Sequence, residues 1–389
     1  MKRWLSFWLC LALALLAALP GCGGDDDTIR IAVAGPMTGR SAHFGDMIKR
    51  AAKLKEKEIN DAGGLEVNGK KYRVEFVEKD DAAAPEQATS IAREISGNSD
   101  FLLVIGHFNS SCSNAAKSEY NNAGIVQFSP GSTNVDVCRG SPYTFRNLYR
   151  DDYQGEQIAL YMKNVLGLSS AIVMFENDDY GKGLMSSFKA RADAIGLEVK
   201  GTVSYLGDRT QDYKPLAQQA KASGADSIFI AGLYDAAALI TKAVRQDMGM
   251  DIPIFGGDGV MSPGFIEIAG DSADGVYIAT PFLFNTGNDT EAAKAFFAAF
   301  RKAHGKDPDT WAALTYDAAG MALDAIQKAG LDRKAIRDQL ASARDIASGY
   351  DGVTGVTYFD EEGDCYSKSV YMATVKDGTF VPAPKQMPK

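Results

Sequence analysis

The chain has 389 residues, with 41 lysines and arginines against 50 aspartates and glutamates and a net charge of −9. That length exceeds what one hydrophobic core usually fills, so two domains are expected. The acidic balance, with no basic block of five or more residues, excludes nucleic acid as an expected partner.

Lys2 and Arg3 open the chain, and an apolar run over 4–19 follows, closed by Leu19-Pro20-Gly21-Cys22. A spanning helix needs roughly 20 apolar residues, and this run is shorter. Its length and flanks are those of a signal peptide. The small residue before Cys22 resembles a bacterial lipobox, whose cysteine is acylated. The expectation is a signal peptide over 1–21, a lipid anchor on Cys22 and a solvated tether over 22–27, rich in glycine and aspartate. An ordinary signal peptide with an incidental cysteine is the alternative. Losing the leader leaves 39 basic residues against 50 acidic, a net charge of −11. No second apolar stretch reaches membrane length.

Ile29, Ile31 and Val33 alternate as a strand, which Gly35-Pro36-Met37-Thr38-Gly39 breaks. A helix is predicted over 44–61, with Met47, Ile48, Ala51, Ala52 and Ile59 on one face and Gly63-Gly64 as its stop. Tyr72, Val74 and Phe76 alternate as a second strand. Pro85 suits the first turn of a helix that turns Ala88, Ile91, Ala92 and Ile95 inward. Residues 101–105 are continuously apolar, the pattern of a strand buried on both faces. A helix over 113–122 and a strand over 125–128 follow.

The same alternation resumes after about residue 148. Helices are predicted over 153–166, 183–195, 213–222 and 235–248, and strands over 171–175, 199–205, 227–230 and 252–255. Such alternation makes parallel sheets flanked by helices, here in two doubly wound lobes. The tail is more helical, over 290–304, 309–328 and 333–341, with strands near 275–280, 355–359 and 370–375. A returning helical pair requires the chain to cross between lobes more than once.

Open parallel sheets bind ligands beyond the carboxyl ends of their strands. The residues there are Gly106 to Ser111, Ser129 to Thr133, Glu176 to Gly181, Ala231 to Tyr234 and Gly256 to Gly259. They complement an amino acid. Ser110, Ser111 and Thr133 sit at helix starts, where hydroxyls, free N–H groups and the positive helix end suit a carboxylate. Asp258, between glycines, suits an ammonium. Tyr180 and Tyr234 supply apolar walls with a polar tip. Each residue also has a plainer role: helix capping for the hydroxyls, turn stabilisation for Asp258 and packing for the tyrosines.

Catalysis finds little support. The three histidines, His43, His107 and His304, lack the spacing of a helical metal site, and no Cys-x-x-Cys occurs. No Gly-x-Ser-x-Gly elbow, phosphate loop or dinucleotide fingerprint is complete. His107 reads as a structural residue in a tight loop. No metal, cofactor or catalytic residue is expected. Cys112 and Cys138 lie near the starts of successive helical segments, so a disulfide is expected between them, with two buried thiols as the alternative and Cys365 left single.

Several of these segments, in order, carry a resemblance. They are Ile31-Ala32-Val33-Ala34-Gly35-Pro36-Met37-Thr38-Gly39, Phe44-Gly45-Asp46, Ile105-Gly106-His107, Phe128-Ser129-Pro130, Asp179-Tyr180-Gly181-Lys182-Gly183 and Gly257-Asp258-Gly259. Together they resemble the branched-chain amino acid-binding (Leu/Ile/Val-binding) family of ABC-transporter solute receptors, of the type I periplasmic fold. The resemblance implies an α/β chain of two doubly wound parallel-sheet lobes joined by a multi-crossing hinge. It implies an N-terminal lobe of 28–147 plus 281–357 and a C-terminal lobe of 148–280 plus 358–389. It implies a receptor outside the cytoplasm, held at a membrane and handing a small solute to a permease. Ser110 and Thr133 would hold the ligand carboxylate, and the Gly131 carbonyl and Asp258 its ammonium. Phe44, Phe108, Asn109, Tyr180, Tyr234 and Tyr316 would surround the side chain. Asp258 stands where Leu/Ile/Val binders commonly carry glutamate, Phe44 replaces a tyrosine or tryptophan, and Asn109 adds polarity. Receptors for an aromatic acid, an amide or a urea-like compound, and sensory proteins of the same fold, are the alternatives.

Overall fold

Successive residues of an extended strand face opposite ways. In β1 (Thr28–Gly35), Ile29, Ile31 and Val33 therefore enter one apolar core while Ala32 and Ala34 enter a second. Both faces are covered by helices: α1 (Ala42–Asp61), α2 (Pro85–Ser96) and α3 (Ser110–Asn122). In the computed structural model, which describes residues 27–287 and 289–387, β1 lies inside a six-stranded sheet. The expected leader and Cys22 lie outside the described residues. The sheet runs β2 (Leu65–Val67), β3 (Lys70–Asp80), β1, β4 (Phe101–Ile105), β5 (Val126–Ser129), β6 (Thr144–Arg146). All neighbours are parallel except β2 and β3, which form a hairpin.

A second sheet repeats the plan. Its parallel part is β8 (Glu198–Tyr205), β7 (Ser170–Glu176), β9 (Ile228–Ala231), β10 (Ile254–Gly256) and β11 (Tyr277–Thr280). Two antiparallel strands, β14 (Tyr371–Lys376) and β15 (Thr379–Pro382), extend it beyond β11. Its helices are α4 (Asp151–Leu160), α5 (Asp179–Ile195), α6 (Lys214–Ser223), α7 (Tyr234–Lys242) and α8 (Pro263–Ala269). Helices α9 (Glu291–His304), α10 (Thr310–Ala329) and α11 (Arg333–Ala341) return to the first sheet, α9 and α10 against α1 and α11 against β5. The chain thus passes between the sheets after β6, after β11 and before β14. This is the α/β architecture the alternation predicts.

The departures are local. Strands β2 and β6 and helix α8 were not expected: a strand of three residues is too short to show a period. The segment near 355–359 does form a strand, β13 (Gly355–Thr357), but it pairs with β12 (Tyr350–Gly352) outside both large sheets. Helix α4 starts two residues before the predicted 153, at Asp151. Both α4 and α7 end in a widened turn, in which Leu166 N–H donates to the Tyr161 carbonyl at 3.1 Å and Met248 N–H to that of Ala243 at 3.0 Å.

The expected disulfide is absent: Cys112, Cys138 and Cys365 are all free and buried. Cys112 packs with α2 and β1 residues in the smaller core, whereas the Cys138 thiol donates to the Gly363 carbonyl at 3.6 Å. The two cysteines face different neighbours, and burial pushes both thiols well above their usual range.

Where the chain first leaves one sheet for the other, Arg146 is fully buried. Its Nε donates to Asp364 Oδ1 at 2.6 Å, and its Nη1 to the carbonyls of Ser132 at 3.1 Å and Asn134 at 2.8 Å. Arg150 Nη1 reaches the other oxygen of Asp364 at 3.1 Å. Asp364 lies on the last passage, so this cluster ties the first crossing to the third. Removing one partner of a buried pair strands the other charge. Asp364→Ala is expected to lower the free energy of unfolding by roughly 3–5 kcal/mol, and Asp364→Asn, which keeps one acceptor, by less. Equilibrium urea unfolding followed by circular dichroism measures both.

Candidate functional site

The carboxyl ends of the parallel strands from the two sheets face each other across one cleft. On the first side, β4 is followed by Gly106, whose φ of +136° and closeness to β1 leave no room for a side chain: a Cβ would sit 2.1 Å from the Ala34 carbonyl oxygen. The loop that follows starts α3 at Ser110. Asn109 is the N-cap, yet its side chain makes no capping hydrogen bond. The first N–H groups of α3 thus lack a side-chain cap, and such free groups at a helix start can bind anions.

Hydroxyls lace this loop to the one after β5. Ser129 Oγ donates to the His107 carbonyl at 2.7 Å and Ser132 Oγ to that of Phe108 at 2.8 Å. Ser110 Oγ accepts from Asn134 N–H at 3.2 Å. Gly131 lies flat against the Phe108 ring, since a Cβ there would be 2.2 Å from Cδ2. His107 takes no part in the cleft. It is buried, with Nδ1 2.7 Å from Asp81 Oδ2 and Nε2 3.1 Å from Tyr120 Oη. It holds the loop, as its place in the sequence predicts.

The apolar wall is a box of rings. Phe44, at the start of α1, stacks on Phe108 at 4.4 Å and meets Tyr234 edge-on at 5.2 Å. Trp311 on α10 closes the box, 4.9 Å from Phe108 and 5.8 Å from Phe44. Its Nε1 donates to the Met261 carbonyl, on the second side, at 2.8 Å.

The second side supplies negative charge. Tyr180 Oη donates to Asp258 Oδ1 at 2.9 Å and accepts from Gly259 N–H at 3.0 Å. Asp258 is 1 % exposed. Burial pushes its carboxyl up to about 6, against the opposing pull of hydrogen bonds from Gln154, Tyr180, Gly259 and Tyr149. Its Oδ2 has no hydrogen-bond partner by strict geometry. The same holds for Asn109 Oδ1 and Gln154 Oε1, while the Thr133 hydroxyl and the Asp151 carboxylate pair with each other. Buried polar atoms are normally paired, so a group of orphans along one cleft marks where a polar ligand belongs.

Of the residues singled out in the sequence, Phe44 touches both Phe108 and Tyr234, Gly131 touches Phe108, and Tyr180 pairs with Asp258. Asn109, Ser110 and Thr133 lie on the two loops facing them. Tyr316 is a correction. It packs on Phe296 at 4.6 Å, sits under Lys55 and donates to Glu58 Oε2 at 2.5 Å, on the far side of α10 from the rings. Five residues turn a helix by about 140° beyond a full turn, which is why Trp311 faces the cleft and Tyr316 does not. Trp311, Asp151, Gln154 and Arg146 were missed. Asp151 and Gln154 follow a hinge segment rather than a legible strand. A cavity of about 490 Å³ lies behind the hinge, lined by Tyr149, Arg150, Tyr153 and Asp360 among others, away from the converging strand ends.

The cleft is closed. Arg40, in the turn after β1, reaches across it with Nη1 2.6 Å from Glu176 Oε1, Nη2 2.9 Å from Oε2 and Nε 2.9 Å from Asp235 Oδ2. Tyr234 Oη donates to the Arg40 carbonyl at 2.8 Å. Ser111 Oγ accepts from Asp179 N–H at 3.0 Å, and Asn134 Nδ2 donates to the Asp179 carbonyl at 2.7 Å. Beside the Arg40 cluster, burial and the neighbouring Glu176 hold the Asp178 carboxyl near 7.

The family model for periplasmic binding proteins matches residues 28–379 of this sequence. The chain belongs to the periplasmic binding protein family. This is a family of solute binders, in agreement with the expectation that the chain is not an enzyme. Among similar proteins is an amino acid binding protein of Pseudomonas aeruginosa, 31% identical, with 86% of each chain covered. A leucine-, isoleucine-, valine-, threonine- and alanine-binding protein of the same organism is 30% identical, with 87% of each covered. Among solved structures, the leucine binding protein LivK of Thermotoga maritima superposes with a TM-score of 0.83 at 30% identity, covering 90% of this chain and 97% of that one. The LivJ substrate binding protein of Streptococcus pneumoniae, in complex with isoleucine, also gives 0.83, at 29% identity and with 91% and 97% covered. These likenesses span both sheets and give the type I periplasmic binding fold.

In a periplasmic binding protein whose lobes close, contacts made only across the cleft stabilise the closed form and so slow ligand escape. Arg40→Ala is expected to speed dissociation of bound ligand by about tenfold, equivalent to roughly 1.4 kcal/mol, with little change in association. Chase of radiolabelled ligand followed by rapid filtration reads the dissociation rate.

Proposed function

We propose that this chain is the substrate-binding component of an ABC transporter outside the cytoplasm. It takes a branched-chain or other apolar α-amino acid between its lobes and delivers it to a membrane permease. The observation that carries this reading is the polarity of one closed cleft. Uncapped N–H groups at the start of α3, with Ser110 and Thr133, face the buried, half-satisfied carboxylate of Asp258. The box of Phe44, Phe108, Tyr234 and Trp311 adjoins both. A zwitterion with an apolar side chain satisfies all three surfaces at once. The names of the similar receptors, for leucine, isoleucine and valine, support the same class.

In this reading 28–147 plus 281–357 and 148–280 plus 358–389 are the two rigid lobes. Closure of the Arg40 contacts distinguishes the loaded form for the permease, which docks on exposed residues of both rims. Cys22 carries the lipid that tethers the receptor to its membrane. These parts rest on the reading of the sequence and on the family.

Calorimetric titration with each common amino acid tests the ligand class: leucine, isoleucine or valine is expected to bind, and no binding by any amino acid would sink the reading. Asp258→Ala is expected to weaken amino acid binding by at least about a hundredfold, since it removes the charge partner of a buried ammonium. Binding also fixes the sign of the pH dependence. Asp258 titrates near 6 in the empty site, whereas a bound ammonium favours its ionised form, so binding expels a proton below that pH. Affinity is expected to fall as pH drops from 7 to 5 and to level off above about 7.

A further inference from the structure

The cavity behind the hinge is built from two of the three crossings. Its volume of about 490 Å³ is in the range of small-molecule sites. One wall is the start of α4 with the residues just before it, and the other is the last passage, over 360–369. Ring surface is left open there: Tyr153 is 38% exposed and Tyr366 57%, and both line this cavity. Both rings are nonetheless held. Tyr153 meets the buried Tyr149 edge-on at 6.2 Å. Tyr366 meets Tyr358 edge-on at 4.8 Å and donates its hydroxyl to the Arg344 carbonyl at 2.9 Å. A tyrosine face carries negative potential, so rings fixed at a cavity wall favour a positive guest. The charges of the wall point the same way. Four carboxylates line it, Asp152, Glu156, Asp360 and Asp364, against two cations, Arg150 and Lys368. Both cations are engaged. Arg150 donates to Asp152 at 3.1 Å and to Asp364 at 3.1 Å, and Arg146 holds the other oxygen of Asp364. Lys368 Nζ donates to the carbonyls of Thr354 at 2.8 Å and Gly355 at 3.0 Å, at the β12–β13 turn. Glu156 has a partly exposed partner, Arg191, at 3.3 Å. Asp360 is in no ion pair among the described residues. Its Oδ1 accepts from the N–H groups of Glu362 and Asp364, both at 2.9 Å, and Arg344 donates to its backbone carbonyl.

We propose that this hinge cavity is a second binding site, for a small organic cation, held by the faces of Tyr153 and Tyr366 and by the carboxylate of Asp360. The inference goes beyond the amino acid reading and does not depend on it. A cation gains from the rings and from the carboxylate, whereas a neutral solute of the same shape gains from contact alone. The site is separate from the cleft but shares a wall with it. Tyr149 lines the cavity, and its hydroxyl hydrogen-bonds to Asp258 on the cleft side. A cation bound there touches the first and last crossings together, as Asp364 does from within the protein.

The test titrates the whole protein calorimetrically, at low ionic strength, with choline and with its uncharged isostere 3,3-dimethyl-1-butanol. Choline is expected to bind with a Kd of about 1 mM or below, and the alcohol at least about tenfold more weakly. Tyr366→Ala, which removes an exposed ring, is expected to weaken choline about tenfold, and Tyr366→Phe, which keeps the ring, to retain it. Asp360→Asn, which keeps an acceptor for the two backbone N–H groups, is expected to weaken choline about fivefold and to leave the alcohol unchanged. Asp258→Ala alters the cleft and is expected to leave choline binding as it is. Far-ultraviolet circular dichroism checks that each variant is folded. No binding of choline by wild type, or equal binding of choline and the alcohol, would overturn the proposal. Full choline affinity in both Tyr366→Ala and Asp360→Asn would overturn it as well, and its loss in Asp258→Ala alone would place the cation in the cleft instead. None of these outcomes bears on whether the cleft takes an amino acid.

Discussion

The buried guanidinium of Arg146 is the constraint on which the cleft depends. It is wholly withdrawn from water, a cost of several kcal/mol that only good partners offset. Those partners come from two distant stretches of the chain. Asp364 belongs to the last crossing between sheets, and the Ser132 and Asn134 carbonyls flank Thr133. One side chain therefore joins two hinge passages and sets the angle of a loop that faces the ligand. Asn147 continues the linkage by donating to the Leu314 carbonyl at 2.7 Å, one turn along α10 from Trp311. Hinge crossing, polar loop and aromatic wall thus share one hydrogen-bonded network.

Charge is arranged by depth. At the mouth, Arg40 meets Glu176 and Asp235 where water still reaches, and such pairs form and break at small net cost. On the floor, Asp258 is in no ion pair among the described residues, and its Oδ2 lacks a hydrogen-bond partner. The mouth is self-neutralising and the floor is not.

Much of the fold was legible because its signals are periodic. Continuous apolar runs such as 101–105 became central strands, and the 3.6-residue stripes of α1, α2 and α9 became packed faces. Pro85 and Gly305 punctuate helices where such residues should. The strand-end rule then pointed to the loops carrying the hydroxyls, Tyr180, Tyr234 and Asp258, because parallel sheets fix where loops converge. The failures have a common cause. Trp311, Asp151, Gln154 and Arg146 reach the cleft from helix starts and hinge crossings, whose placement depends on how two sheets dock. Tyr316 was misplaced for the same reason: a helix face reads as a stripe, but not which neighbour the stripe meets. The absent disulfide was a guess about distance, and distance between loops is what one sequence does not carry.

The place of Trp311 gives the molecule a built-in optical signal. Of its three tryptophans, Trp4 and Trp8 lie in the segment that a removed leader would take away. Among the described residues Trp311 is the single indole, buried in the ring box, its N–H bonded to the Met261 carbonyl on the other side of the cleft. Its emission colour follows the polarity around it and the fate of that one bond. Loss of that bond would wet the ring and shift its light to the red. A receptor of this build reports its own opening in the ultraviolet.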